Sequence, residues 1–343
     1  MSQPVSTAPI EPAPPAADAA LEESLLRRLV RTTPALQIAA VIVLFIVVVA
    51  TISGFFTLTS IYSTLILASF LGIAACGQTV AILIGAIDLS VPAVISGANL
   101  ICTLLAGRHW PFGLVIVFVI ACSAVIGAIN GFTIHHFRVP PLIVTLATGA
   151  MVTGATLGVT NDGEVSGQVP SWLGTFSSPI AKTFGIGIPP VIVLWIVVAI
   201  VLSIVLHLTV TGHRTYATGA NPPAATLAGV KTGRIWIGAF VLSAVGAAVV
   251  GMLLTGFTGA GDAGVGTPYL FLTIAAVLVG GTSLVGARGD YWRTVLGALI
   301  LTLITTFLVG HGAGAATQEI LFGVLILAFV GVYGRDQRVR DRV

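Results

Sequence analysis

Long apolar runs, interrupted by short segments rich in glycine, proline and charge, set the pattern of this chain. Residues 39–49 are apolar without a break. A membrane barrel would instead show alternating strands of roughly ten residues. About 20 apolar residues form a helix long enough to cross a 30 Å hydrocarbon core. The pattern predicts an all-α, polytopic membrane protein of about ten transmembrane helices, near 36–58, 61–84, 91–107, 112–134, 141–160, 188–208, 235–257, 269–286, 293–311 and 317–333. The membrane domain then covers 25–335. Residues 1–24, rich in Pro, Ala, Ser and Glu, read as a disordered cytoplasmic tail, and 336–343 as a second cytoplasmic tail. Between the first tail and the first span, Leu25-Leu-Arg-Arg-Leu-Val-Arg31 is a basic amphipathic stretch suited to the membrane surface.

Composition agrees with the pattern. Only 8% of the 343 residues are charged and 56% are hydrophobic, against roughly 25% charged in a soluble domain. That excludes a soluble enzyme, a disordered chain and a nucleic-acid binder. Glycine occurs 40 times, and in membrane helices it allows close backbone approach, so a tightly packed bundle is expected. Cys76, Cys102 and Cys122 lie in apolar runs without ligand spacing and read as free thiols.

Charge orients the chain. With the N-terminus inside, the inner segments carry 13 of the 15 Lys and Arg residues and the outer segments only Arg108 and Lys182. This positive-inside bias predicts an even number of spans and both termini in the cytoplasm, in a cytoplasmic (inner) membrane. Two connecting segments are long: 161–187 outside and 209–234 inside. Loops of that length in a compact bundle are usually functional.

No catalytic set is visible. There is no G-x-x-x-x-G-K-[ST] phosphate loop, so any ATP with its magnesium must be held by another chain, and no cofactor is expected in this one. The six histidines show no metal spacing. Asp88, in Ile84-Gly-Ala-Ile-Asp88-Leu-Ser-Val-Pro92, is the only carboxylate between Glu23 and Asp162. Either it caps, with Ser90, the helix that starts near Val91, or it acts directly in a pathway, as intramembrane ionisable groups often do. Asn221 before Pro222-Pro223 and a run of small residues reads as the cap of a short helix outside the membrane, ended by Gly229. Such a helix suits docking into a partner's groove. One internal echo, Ala81-Ile-Leu-Ile-Gly-Ala86 and Ala276-Val-Leu-Val-Gly-Gly281, precedes two expected inner turns.

Four segments in order carry a resemblance to a known family. Residues 78–97 are similar to G-x-t-x-V-I-l-x-G-G-I-D-L-S-V-G; Pro140-Pro-Leu-Ile-Val-Thr-Leu146 to P-x-F-I-V-T-L; 212–229 to G-R-x-x-Y-A-x-G-x-N-x-x-A-A-x-x-x-G; and 274–289 to I-A-A-V-x-x-G-G-T-S-L-x-G-G-x-G. These are motifs of the ribose/xylose/galactose permeases of ABC importers, which the chain resembles. It departs from them at Ala86, Pro92, His213, Pro222-Pro223, Ala287 and Arg293. The resemblance implies a ten-helix permease that dimerises with a second permease chain around a central pathway, in membrane lipid. Its further partners would be ATP-binding subunits and a periplasmic or lipid-anchored solute-binding protein. It implies an ATPase-coupling segment with Arg214, Tyr216, Gly219, Asn221, Ala224, Ala225 and Gly229. It also implies a pathway or gate with Gly85, Asp88, Leu89, Ser90, Thr145, Gly280, Gly281, Thr282 and Ser283. The solute would be a sugar or polyol. An ion-coupled secondary transporter using Asp88 or Glu319 is the alternative.

Overall fold

The computed structural model describes residues 34–160, 164–165 and 169–340. The expected tail 1–24, the basic stretch 25–31, Asp162 and the last three residues lie outside them. The chain divides after Leu36 into a short unit, of which 34–36 are described, and the unit Gln37–Val343.

Thirteen helices follow one another among the described residues: α1 (Ala35–Thr51), α2 (Leu58–Leu83), α3 (Val91–Gly107), α4 (Phe112–Phe137), α5 (Pro141–Thr160), α6 (Ser171–Phe176), α7 (Pro190–Leu208), α8 (Val210–Ala220), α9 (Pro222–Leu227), α10 (Thr232–Thr258), α11 (Tyr269–Val279), α12 (Tyr291–Gly310) and α13 (Ala315–Arg340). Valine and isoleucine crowd α1 and α7, and in water they would favour strands. In lipid every backbone group must be satisfied within its own segment, which selects helix. Each expected span coincides with a helix. Six helices, α2, α4, α5, α7, α10 and α12, are long and apolar enough to cross a membrane; α1, α3, α11 and residues 315–328 of α13 are shorter apolar helices.

The boundaries correct the sequence reading in three places. The span placed at 36–58 stops at Thr51, and Gly54 beyond it takes φ +77°. The span placed at 269–286 stops at Val279, because Gly281 takes φ +96° and turns the chain away. The segment 209–234 is mostly helical, not an open loop: it holds α8 and α9.

The core forms around α2, in which every residue from 68 to 83 is buried. A helix apolar on all sides needs protein or lipid all round, and here α7, α10, α11 and α12 supply it. The close partner is α10, which crosses α2, α3 and α4. Glycines make this possible: a side-chain carbon at Gly77 would collide with the Ser243 backbone, and one at Gly127 with the Phe240 carbonyl. In contrast, α4, α5 and α7 leave Val117, Val125, Met151 and Val201 more than half exposed, as lipid-facing surfaces require. At the far end of the bundle from α9, β1 (Glu164–Val165) pairs antiparallel with β2 (Gly261–Asp262). Asn99 anchors that pair from α3: its Oδ1 accepts the Asp262 N–H at 2.8 Å while its Nδ2 donates to Thr255 Oγ1 at 2.8 Å.

Candidate functional site

Two helices of the core end in the same way on the side that carries α9. After α2, the Gly85 N–H donates to Ile82 O and the Ala86 N–H to Ala81 O, with Gly85 at φ +80°. After α11, the Gly281 N–H donates to Leu278 O and the Thr282 N–H to Val277 O. Both are Schellman ends, which place a left-handed glycine just beyond the helix. The echo noticed in the sequence thus marks two equivalent stops, offset by one residue because α11 runs one position further. The Gly280 carbonyl accepts a hydrogen bond from Gln37 Nε2 at 3.1 Å.

Beyond Gly281 the chain folds into a tight loop before α12. The Ser283 N–H donates to Arg288 O, and Gly286 (φ +88°), Ala287 (φ +57°) and Gly289 (φ +134°) are all left-handed. Ala287 stands where the resembling motif has glycine, and its side chain tolerates this backbone at a cost. Asp290 caps α12 by accepting the Arg293 N–H at 2.8 Å and pairs with the Arg293 guanidinium at 3.4 Å. The Ala287 N–H donates to Leu83 O at 2.8 Å, tying this loop to the end of α2.

The segment 209–229 closes on that junction. Thr209 caps α8, and Gly219 near its end has no room for a side-chain carbon, which would land on Leu83 O with Ala287 N close behind. From the same helix, Tyr216 donates its hydroxyl to Gly289 O at 2.8 Å. Burial, and then the nearby Asp290 carboxylate, push the Tyr216 phenol up to about 12. Asn221 caps α9 as its sequence suggests, accepting the Ala224 N–H at 3.0 Å, and Gly229 ends that turn at φ +80°. Ala225 is buried, Arg214 and Ala224 are exposed, and Leu227 is 90% exposed. A groove of about 740 Å³ runs between α9 and the α4–α5 turn, lined by His135, Arg138, Pro140, Pro222, Leu227 and Trp236 among others.

Asp88 sits in the turn between α2 and α3, and it is 2% exposed. Ser90 precedes α3 without a side-chain capping bond, and Pro92 lies in its first turn. Asp88 Oδ1 instead accepts from the Ser90 N–H at 2.9 Å and the Ser90 hydroxyl at 2.6 Å. The carboxyl therefore closes a local turn, cut off from water, and the expected capping of α3 by Ser90 is not made. Three polar side chains missed in the sequence complete its surroundings. Asn130 of α4 donates to Ser90 Oγ at 3.2 Å, Thr148 of α5 donates to Asn130 Oδ1 at 2.6 Å, and Gln78 of α2 accepts the Asp88 N–H at 3.3 Å. The signal that Asn130 and Gln78 gave in the sequence was an amide inside an apolar run, and Thr148 gave none.

The structure thus brings Gly85, Gly219, Tyr216, Gly286 and Gly289 to one junction, and Asp88, Ser90 and Asn130 to a second. Leu89 is half-buried, and its carbonyl lies against Gly149 of α5. Gly280 and Thr282 are buried and Gly281 and Ser283 half-buried in the loop after α11. Thr145 does not join them: it is fully buried and its hydroxyl donates to Pro141 O in its own helix. Among the described residues no three His, Cys, Asp or Glu side chains gather as a metal site.

Comparison with known proteins adds the family. A family model described as the permease component of the branched-chain amino acid transport system matches residues 60–330. The probable ABC transporter permease protein YphD of Escherichia coli K12 is 31% identical, over 85% of this chain and 87% of its own. The ribose import permease protein RbsC of the same strain is 31% identical over 86% and 92%. The fructose import permease protein FrcC of Rhizobium meliloti is 30% identical over 93% and 90%. No solved structure matches significantly.

Proposed function

The chain belongs to the family of branched-chain amino acid transport system permease components, and on that premise we propose that it forms the membrane pathway of an ATP-driven importer for a sugar or related polyol. The sugar class is taken from relatives named for ribose, fructose and D-allose import. None of the relatives cited here favours the ion-coupled alternative. The chain is a transporter subunit, with ATP and magnesium held by a separate ATP-binding subunit. It sits in the inner membrane with both termini in the cytoplasm, beside a second copy of itself, and receives solute from a periplasmic or lipid-anchored binding protein at the end marked by β1 and β2.

The observation that carries this reading is the path from α9 into the core. A six-residue helix with Leu227 exposed is held outside the bundle, and the helix leading to it, α8, bears on Leu83 and Gly289 through Gly219 and Tyr216. A partner that grips α9 and shifts it therefore pulls on two helix ends at once. Those ends, at Gly85 and at Gly281, are turns without side-chain bulk, and they are the natural places for an inner gate to bend. ATP-driven approach of two ATPases would switch the pathway between inward and outward access. Specificity would rest with the binding protein.

The test is copurification followed by uptake. A tagged chain extracted gently is expected to bring down an ATPase at near one-to-one stoichiometry. Asn221 and Ala225 replaced by bulky charged residues should lower maximal uptake and leave binding-protein affinity unchanged. A chain that moves solute in liposomes under an ion gradient, with no ATPase present, would overturn the assignment.

A further inference from the structure

We propose that Asp88 is held as a neutral carboxylic acid, its Oδ2 hydroxyl donated to Ser243 of α10, so that a fixed proton locks the turn between α2 and α3. The reading of protonation rests on geometry alone; only its bearing on the gate rests on the function proposed above.

The load on the two carboxyl oxygens is unequal. Oδ1 accepts twice, from the Ser90 N–H and the Ser90 hydroxyl. The hydroxyl is the end of a chain in which every hydrogen points the same way, from Thr148 to Asn130 to Ser90 to Asp88. Oδ2 is buried and has no partner. A carboxylate spreads its charge over both oxygens, so an ionised Asp88 would leave half a charge in a dry interior with at best one neutral hydroxyl and no cation to meet it, which costs several kcal/mol in a low dielectric. A neutral acid distributes its needs as observed. One oxygen is a carbonyl that accepts, and the other is a hydroxyl that needs an acceptor.

The acceptor is at hand. Ser243 of α10 packs on Gly77, next to the Gln78 that holds the Asp88 N–H, is fully buried, and its Oγ is likewise without a partner. No cation stands opposite: the ion pair found among the described residues is Arg293–Asp290. Gln78 keeps its Nε2 unpaired although its Oε1 takes the Asp88 N–H, so the nearby amide donor is not spent on Oδ2. The polar side chains linked to Asp88 by hydrogen bonds are Gln78 of α2, Ser90 and, through Ser90, Asn130 of α4 and Thr148 of α5, and none of these, nor Ser243, is titratable. Cys76, the buried thiol of α2, meets Gly246 instead. A bound metal ion fits poorly, since the pocket offers an amide N–H beside two oxygens. The proton is fixed, not exchanged with each solute carried, so this is no return to ion coupling.

Infrared spectroscopy of the purified chain at neutral pH reads the proton directly. The expected result is a carbonyl band of a protonated carboxylic acid that disappears in Asp88→Asn and shifts in Ser243→Ala. Stability gives an independent reading. An acid neutral in the folded state and ionised in the unfolded one makes the unfolding constant rise up to tenfold per pH unit as pH climbs above the ordinary carboxyl range, and Asp88→Asn should remove that slope. A carboxylate band lost in Asp88→Asn, with no carboxylic band lost, would overturn the proposal and point to an ionised Asp88 bridged to Ser243 and Gln78 by water. A wild-type slope unchanged in Asp88→Asn would overturn it as well. Should Asp88→Asn fail to fold, an unshifted carboxylic region in Ser243→Ala would do the same. None of these outcomes depends on transport.

Discussion

Gly219→Ala places one methyl group where three backbone segments meet. The added carbon would land on Leu83 O, and Ala287 N lies 3.0 Å from the same position. Neither is the loose end of a side chain. Leu83 is held by the Schellman end of α2, and its carbonyl already accepts the Ala287 N–H at 2.8 Å. Room can be made only by moving α8 away or by breaking that bond. Overpacking of this kind costs about 1–3 kcal/mol, and an orphaned buried N–H adds about 1–3 kcal/mol when the bond breaks instead. Alanine returns up to about 1 kcal/mol through its helix propensity. The net cost is about 1–2 kcal/mol, near a tenfold change in an equilibrium. Because the strain falls between α8 and α2, it should appear chiefly as lost coupling: the ATPase still copurifies, but uptake falls about tenfold for a given rate of ATP hydrolysis. Gly238→Ala in α10, where nothing lies within 4 Å of the added carbon, is the matched control and should be neutral or slightly stabilising. The assay is uptake and ATP hydrolysis in the same proteoliposomes, with melting in detergent alongside. A Gly219→Ala chain with wild-type melting and wild-type uptake per ATP would refute the junction.

Three further outcomes follow from the same geometry. Asn221→Ala removes the α9 cap at a local cost of about 1 kcal/mol, and Leu227→Asp charges its exposed tip; both should lower ATPase copurification while global melting moves little. Tyr216 keeps its proton in the folded chain until pH approaches 12, while an unfolded tyrosine ionises near 10. Stability should therefore fall as pH rises through that window, and Tyr216→Phe should flatten the fall; an equal slope in the variant counts against the hydroxyl bond to Gly289. Ala287→Gly relieves a left-handed alanine at φ +57° and should raise melting stability by up to about 1 kcal/mol, whereas a loss would mean that the loop relies on the alanine methyl.

What could be read from the sequence follows the range of the interactions involved. Asn221, Pro222 and Gly229 declare a capped short helix because cap, proline and stop lie within nine residues of one another, and the structure agrees position by position. The apolar runs likewise place the helices, since the membrane leaves the backbone no other solution. Asp88 marks the limit. Its spacing from Ser90 and Val91 allowed a cap as well as a place in a pathway, but whether a carboxyl faces water or a dry interior depends on Gln78, Asn130 and Ser243, which arrive from three other helices. The end of α11 fails for a subtler reason: Gly280 and Gly281 look like small residues suited to helix packing, and only the left-handed turn at Gly281 shows that they end the helix.

The junction is the hardest case. Gly85, Gly219 and Gly286 each read locally as a turn or a small-residue contact, and no periodicity links position 83 to 219 and 287. Yet Gly219 and Gly286 must be small because of what they meet at the junction, while Gly85, with open space around an added carbon, is held to glycine by its φ of +80°. A methyl at Gly219 meets Leu83, and one at Gly286 meets Leu83 O at 3.0 Å and Gly219 O at 3.1 Å. Gly219 and Gly286 are therefore one constraint set by the end of α2, and compensating changes around it should restore more than their separate effects add up to. A second substitution that rescues Gly219→Ala should lie in 83–86 or 286–289, and rescue found only elsewhere would mean that α8 reaches the core by another route.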